Sequence, residues 1–137
     1  MKKEDKELLI KDLSARLPYG VILKIVNEDS AIAYGTLVGM TRLQKHPFII
    51  YEDLVCIEGV LTPFRLEDVK PYLRSIDSMT DKERHELNNA CDGIDYALSP
   101  DILKLYAYSD WLNAHHFDYR GLIGKGLAIE APEGMYN

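Results

Sequence analysis

Cysteine is nearly absent from this chain, which holds only Cys56 and Cys91 in 137 residues. Two thiols so far apart cannot supply the four-ligand spacing of a structural zinc site or the dense framework of a disulfide scaffold. Both sit among apolar or helix-forming neighbours, which predicts reduced, buried thiols. No apolar run approaches the ~20 residues of a membrane span. The opening Met1-Lys-Lys-Glu-Asp-Lys-Glu7 mixes acids with its lysines, and Leu8-Leu-Ile10 is too short for a signal-peptide core, so the expected location is the cytoplasm. There is no Gly-rich phosphate loop, nucleophile elbow or metalloprotease helix motif, and no cofactor is expected.

Surplus positive charge is missing too. The formal net charge is −6, and it is unevenly placed: residues 1–74 carry 11 Lys+Arg against 11 Asp+Glu, residues 75–137 only 5 against 11. Attraction to phosphate supplies most non-specific nucleic-acid affinity, so an acidic half disfavours nucleic acid as a partner.

What is present is ordinary for a globular domain, with 47% hydrophobic and 28% charged residues. The length fits one cooperative unit of the common size, roughly 100–150 residues. Glu4 to Arg16 reads as an amphipathic helix carrying Leu8, Leu9 and Leu13, stopped by Pro18 and Gly20. From Gly20 to Phe64 the pattern becomes β. Val21–Val26 is followed by a polar turn at Asn27-Glu-Asp-Ser30, then by Ala31–Met40, whose alternation places Ile32, Tyr34, Thr36, Val38 and Met40 on one face. His46-Pro47 signals a turn before Phe48–Tyr51, and Glu58-Gly59 a tight turn between Leu54–Ile57 and Val60–Thr62. Leu66–Lys70 resembles one helical turn stopped before Pro71. Thr80 with Glu83 fits a capping box opening a polar helix to about Cys91, broken at Asp92-Gly93. Ser99-Pro100 starts a helix with a broad apolar stripe, Ile102 to Leu112. Asp118 is placed to cap a last helix, ended by Lys125-Gly126.

The expected fold is therefore α+β: a small antiparallel sheet of four to five strands, SH3-like or a meander, from residues 20–64. Helices from both chain ends pack it, and residues 66–126 are mainly helical.

Three stretches carry a resemblance: Leu13-Ser-Ala-Arg-Leu-Pro-Tyr-Gly-Val21; Val69-Lys-Pro-Tyr-Leu-Arg74 with Ser78-Met-Thr80; and Asp110-Trp-Leu-Asn-Ala-His-His-Phe-Asp-Tyr-Arg-Gly-Leu-Ile123 with Gly126-Leu-Ala-Ile-Glu-Ala-Pro132. On these the sequence resembles a group of uncharacterised small proteins encoded by gut bacteria and their phages or prophages. The resemblance implies a mobile-element origin and carries over no activity, cofactor or catalytic residue. The chain departs from the pattern at Ser75, where a proline is expected, and at Gly124, where a helix-favouring residue is.

His115, His116 and Asp118 form the densest group of potential metal ligands or acid–base residues. Neighbours on a helix point about 100° apart, so the imidazoles converge only if the helix ends at them. A histidine at a helix C-terminus is also explained by the free carbonyls there, and Asp118 by capping. Arg120, in the first turn of the expected last helix, opposes the dipole and so implies a specific carboxylate partner, internal or on another molecule. Tyr72 and Arg74, stiffened by Pro71, suggest a rigid corner of the residue types that anchor interfaces. The opposing reading packs Tyr72 on the sheet and pairs Arg74 with an acid such as Asp77 or Asp81. The functional expectation is a non-enzymatic adaptor binding another protein through Tyr72, Arg74 and Arg120. The alternatives are an enzyme using His115, His116 and Asp118, and a nucleic-acid-binding regulator, which small barrels suggest by analogy alone.

Overall fold

Leu9, Asp12, Leu13 and Arg16 recur at helical spacing, and that face is the one the first helix buries. The computed structural model describes residues 1–45, 50–92 and 100–136. Helix α1 spans Lys3–Arg16, and a 3₁₀ turn at Leu17–Tyr19 ends on Gly20 at φ 70°, a left-handed conformation that glycine adopts without penalty. Strands β1 (Ile22–Ile25), β2 (Tyr34–Lys45), β3 (Ile50–Ile57) and β4 (Phe64–Arg65) follow as an antiparallel meander. A 3₁₀ turn at Leu66–Asp68 leads into β5 (Val69–Ser75), which returns to pair antiparallel with β1. Helices α2 (Asp81–Asp92) and α3 (Pro100–Ala114) come next, and the two-residue strands β6 (Phe117–Asp118) and β7 (Ile129–Glu130) both run parallel to β5.

The α+β architecture is as expected, and a meander closed by a fifth strand after a 3₁₀ turn has the strand order of the SH3-like alternative. The core gathers Leu9 and Leu13 of α1, Val21, Leu23 and Ile25, then Leu37, Val55, Ile57, Leu66, Val69 and Leu73, with Leu122, Leu127 and Ala128 from the C-terminal segment. Each valine, leucine or isoleucine of this set contributes about 1.5–3 kcal/mol when fully buried.

Four expectations are corrected. Residues 69–75 belong to the sheet and not to a helical half with an exposed corner. Pro71 is tolerated there because Val26 N–H bonds Asp68 C=O, so by the alternation of an antiparallel ladder Leu23 and Pro71 face each other at a non-hydrogen-bonded position. The last helix is absent: residues 122–126 form turns, with Gly121 at φ 76° and Gly126 at φ 74°. Three glycines in six residues (121, 124 and 126) remove the helix propensity that a cap alone cannot replace. The single face expected of Ile32, Tyr34, Thr36, Val38 and Met40 is divided on β2, where Tyr34 and Val38 point outward and Leu37 is buried. Gly35 lies so close to β3 that a Cβ would run into Ile57 Cγ2, and the register shifts between Leu37 and Gly39, bringing Met40 back inward against α1. Cys56, a free thiol, is only half-buried. The expected turn at His46-Pro47 and the signals at Gly93 and Ser99 lie outside the described residues.

Candidate functional site

Two regions of the molecule are candidates, an internal polar cluster and the outer face of the sheet. The cluster begins on α1. Asp12 and Arg16, both fully buried, are one turn apart, so Arg16 Nε reaches Asp12 Oδ2 at 2.8 Å and Nη2 reaches Oδ1 at 3.1 Å. Arg16 Nη2 also donates to Phe117 C=O at 2.6 Å. Arg120 Nη1 donates to Asp12 Oδ1 at 2.8 Å, and both guanidinium groups lie over the Tyr119 ring. Tyr119 Oη in turn donates to Asn113 Oδ1. Arg120 thus has the internal carboxylate partner, and the free dipole that motivated it does not exist.

His115 and His116 diverge. The His115 ring stacks on Trp111 at 3.8 Å with its Nδ1 2.8 Å from the Trp111 carbonyl. His116 turns to φ 64°, is 8% exposed, and stacks on Tyr136 at 3.7 Å. Burial, with Arg16 nearby, pushes the His116 imidazolium down to about 4, so the ring is neutral near pH 7. Asp118 accepts the Leu122 and Ile123 N–H groups at 3.0 and 2.9 Å, so it caps the turn instead of serving a histidine. His115, His116 and Asp118 are not brought together, and among the described residues no group of three His, Cys, Asp or Glu side chains could hold a metal ion.

Arg74 is held in a clamp. Its guanidinium makes a bidentate pair with Glu83 at 2.6 and 2.7 Å and lies 4.2 Å above the Phe117 ring. The hydrogen bonds from Arg74 hold the Glu83 carboxyl down at about 2. The same carboxylate closes the capping box with Thr80, so one side chain starts α2 and ties it to β5. Arg74 N–H bonds His116 C=O at 2.7 Å and Leu73 C=O accepts from Ala131 N–H at 2.7 Å, which places β6 and β7 on opposite edges of β5. A polar cleft of about 500 Å³ opens beside the clamp, lined in part by Thr80, Glu130, Glu133 and Tyr136.

Tyr136 joins the cluster to the sheet. Ile22 and Tyr72 are the next pair in register of β1 and β5. The Tyr136 hydroxyl stands between them, accepting from Ile22 N–H at 2.9 Å and donating to Tyr72 C=O at 2.7 Å. Burial raises its phenol to about 12.

The outer face of the sheet was not anticipated, because alternation alone does not say which parity points inward. Lys24 lies directly opposite Tyr34 on β2 and opposite Lys70 on β5, so the three form one row across the strands. Their neighbours Leu23, Gly35 and Pro71 point to the core, which sets the row on the solvent side. Half-buried Ile22, Thr36 and Tyr72 form the adjacent row. Along the same hairpin Tyr34, Val38 and Leu43 are 63%, 53% and 50% exposed on this face, while Tyr51, opposite Gln44, is 53% exposed on the other. Small residues opposite them, Ala33 and Gly35, were the signal available in the sequence.

Arg42, Arg65 and Arg74 are spent on Asp53, Asp68 and Glu83. Among the described residues no helix is long and apolar enough to cross a membrane. The chain matches no protein-family model, no curated protein and no solved structure.

Proposed function

We propose that the protein is a non-enzymatic binding module that engages another protein through the solvent face of its β2–β3 hairpin. One observation carries this reading: at its start β2 turns Gly35 to the core and the large side chains of Tyr34 and Val38 to water. A strand whose only duty is to close a barrel gains by the opposite arrangement, since each large apolar side chain left exposed forgoes about 1.5–3 kcal/mol of burial. Leu43 extends the exposed apolar surface of that face along a ribbon that β1 leaves after Thr36 and β4 leaves after Leu54. Tyrosine is a common interface anchor, combining a large contact area with a polar tip. The internal pairing of Arg74 and Arg120 argues for moving the binding surface away from them, while Tyr72 stays at its border. His116 is neutral, buried and without a carboxylate partner, which gives no support to acid–base chemistry at that site.

The test is a comparison of affinity capture from host-cell lysate by the full chain and by a Tyr34→Ser/Val38→Ser variant. The variant is expected to melt close to wild type, because exposed substitutions away from special features usually stay within ±0.5 kcal/mol. Proteins retained by wild type and lost by the variant support the reading, and identical retention by both refutes it.

A further inference from the structure

Lys24 and Lys70 oppose each other across β1 and β5 at a hydrogen-bonded pair, one step from the Val26–Asp68 bond. Like charges in that position repel. The chain as a whole carries a net charge of −6, yet among the described residues neither lysine makes an ion pair. The contrast with their surroundings is clear. Lys6 pairs with Glu67, Arg65 with Asp68 and Arg42 with Asp53, so carboxylates are supplied to other cations of the same half. The two lysines are left beside Tyr34, the most exposed tyrosine of the described residues.

We propose that the row Tyr34–Lys24–Lys70 is a docking site for an acidic, carboxylate-bearing segment of the partner protein. Opposite residues of a hydrogen-bonded pair stand about 5.5 Å apart at Cα, so both ammonium groups can converge on one carboxylate from two strands of fixed register. Tyr34 then supplies flat contact area beside the charge, and Ile22, Thr36 and Tyr72 a less polar floor. An acidic segment relieves the lysine–lysine repulsion, so the site is complementary to its ligand in charge and is worse off without it. A phosphate backbone offers the same charge. It is the less favoured occupant, because the second half of the chain carries 11 acids against 5 bases and repels a long polyanion that extends beyond the row. The proposal rests on the protein-binding reading above and narrows it to one class of partner.

The experiment uses the full chain in fluorescence anisotropy at low and physiological salt, with three labelled probes: a (Glu-Leu) repeat peptide, its (Gln-Leu) counterpart and single-stranded oligothymidylate. Wild type is expected to bind the glutamate peptide in preference to both others, with affinity falling as salt rises. Lys24→Glu/Lys70→Glu is expected to lower that affinity at least about tenfold. Lys70→Glu alone places opposite charges across the pair, so it should keep or raise the melting temperature while still weakening the peptide, which separates binding from folding. Equal binding of the glutamate peptide by the double variant, or no binding by wild type, overturns the proposal. Preference for oligothymidylate overturns it in favour of a nucleic-acid ligand. If lysate capture is lost in Tyr34→Ser/Val38→Ser and kept in Lys24→Glu/Lys70→Glu, the binding face stands and its acidic specificity falls. If neither variant changes capture, both fail.

Discussion

Replacing Asp12 by alanine should be among the most destabilising single substitutions in the molecule. Asp12 is fully buried and accepts three charge-assisted hydrogen bonds, two from Arg16 and one from Arg120. Its loss leaves the Arg16 guanidinium, also fully buried, with only the Phe117 carbonyl, while Arg16 Nη1 already has no hydrogen-bond partner. Breaking a buried pair from one side costs about 3–5 kcal/mol, because the surviving charge keeps its desolvation penalty without its compensation. Against a total stability of ~5–15 kcal/mol this approaches the unfolding threshold. For a chain of this size it corresponds to a fall in melting temperature on the order of 10–20 °C. Asp12→Asn should cost less, since the amide oxygen still accepts from one arginine. Asp12→Leu/Arg16→Met should recover much of the loss, because removing both charges of a buried pair is often neutral. Urea denaturation followed through Trp111, the single tryptophan, which stacks on His115 within this region, reads all three variants. A cost below about 1 kcal/mol for Asp12→Ala, or a double variant as unstable as the single one, would refute the account of Arg16 as a charge that needs Asp12.

The acid limb of stability should have two parts. The unfolded chain protonates His116 near its ordinary 6.5 and the folded chain only near 4, so stability falls as pH drops through that window. Glu83, held at about 2 instead of 4.5, stabilises fully above 4.5 and loses that contribution towards pH 2, so Glu83→Gln should cost about 1–3 kcal/mol at neutral pH and abolish the lower part. Tyr136→Phe should cost about 1–3 kcal/mol by stranding Ile22 N–H and Tyr72 C=O, and should remove the loss of stability that wild type shows between pH 10 and 12, where the unfolded phenol ionises before the folded one. Gly35→Ala should destabilise by about 1–3 kcal/mol through overpacking on Ile57, and Ile57→Ala in the same chain should return part of it, as thermal melts of the single and double variants would show.

What could be read in the sequence was what depends on near neighbours. The helix over Glu4–Arg16, the capping box of Thr80 and Glu83, the start at Pro100 and the meander of the first half all follow from spacing within a few residues. β5 was missed because Leu66–Lys70 does begin with a 3₁₀ turn and because Pro71 argues against a strand unless the pairing partner is known. The parity of β2 depends on Ile57, which sits across the hairpin. Asp12 and Arg16 share the buried helical stripe of Leu9 and Leu13, a place that local pattern does not give to charge. Only Phe117 and Arg120, more than 100 positions away, make that stripe habitable for charge. The row of Lys24, Tyr34 and Lys70 likewise exists only once the register of three strands is fixed.

The hydroxyl of Tyr136 has a consequence for the order in which the molecule assembles. It completes the pairing of β1 with β5 across 114 positions to Ile22 and 64 to Tyr72. Contacts of such separation pay a large loop-closure entropy, so they form after the local meander is in place. The phenol is therefore a late fastening, set after most of the barrier has been crossed. Substitutions at Tyr136 should leave the refolding rate nearly unchanged and accelerate unfolding, which makes this one side chain a governor of how long the folded state lasts as well as of how stable it is.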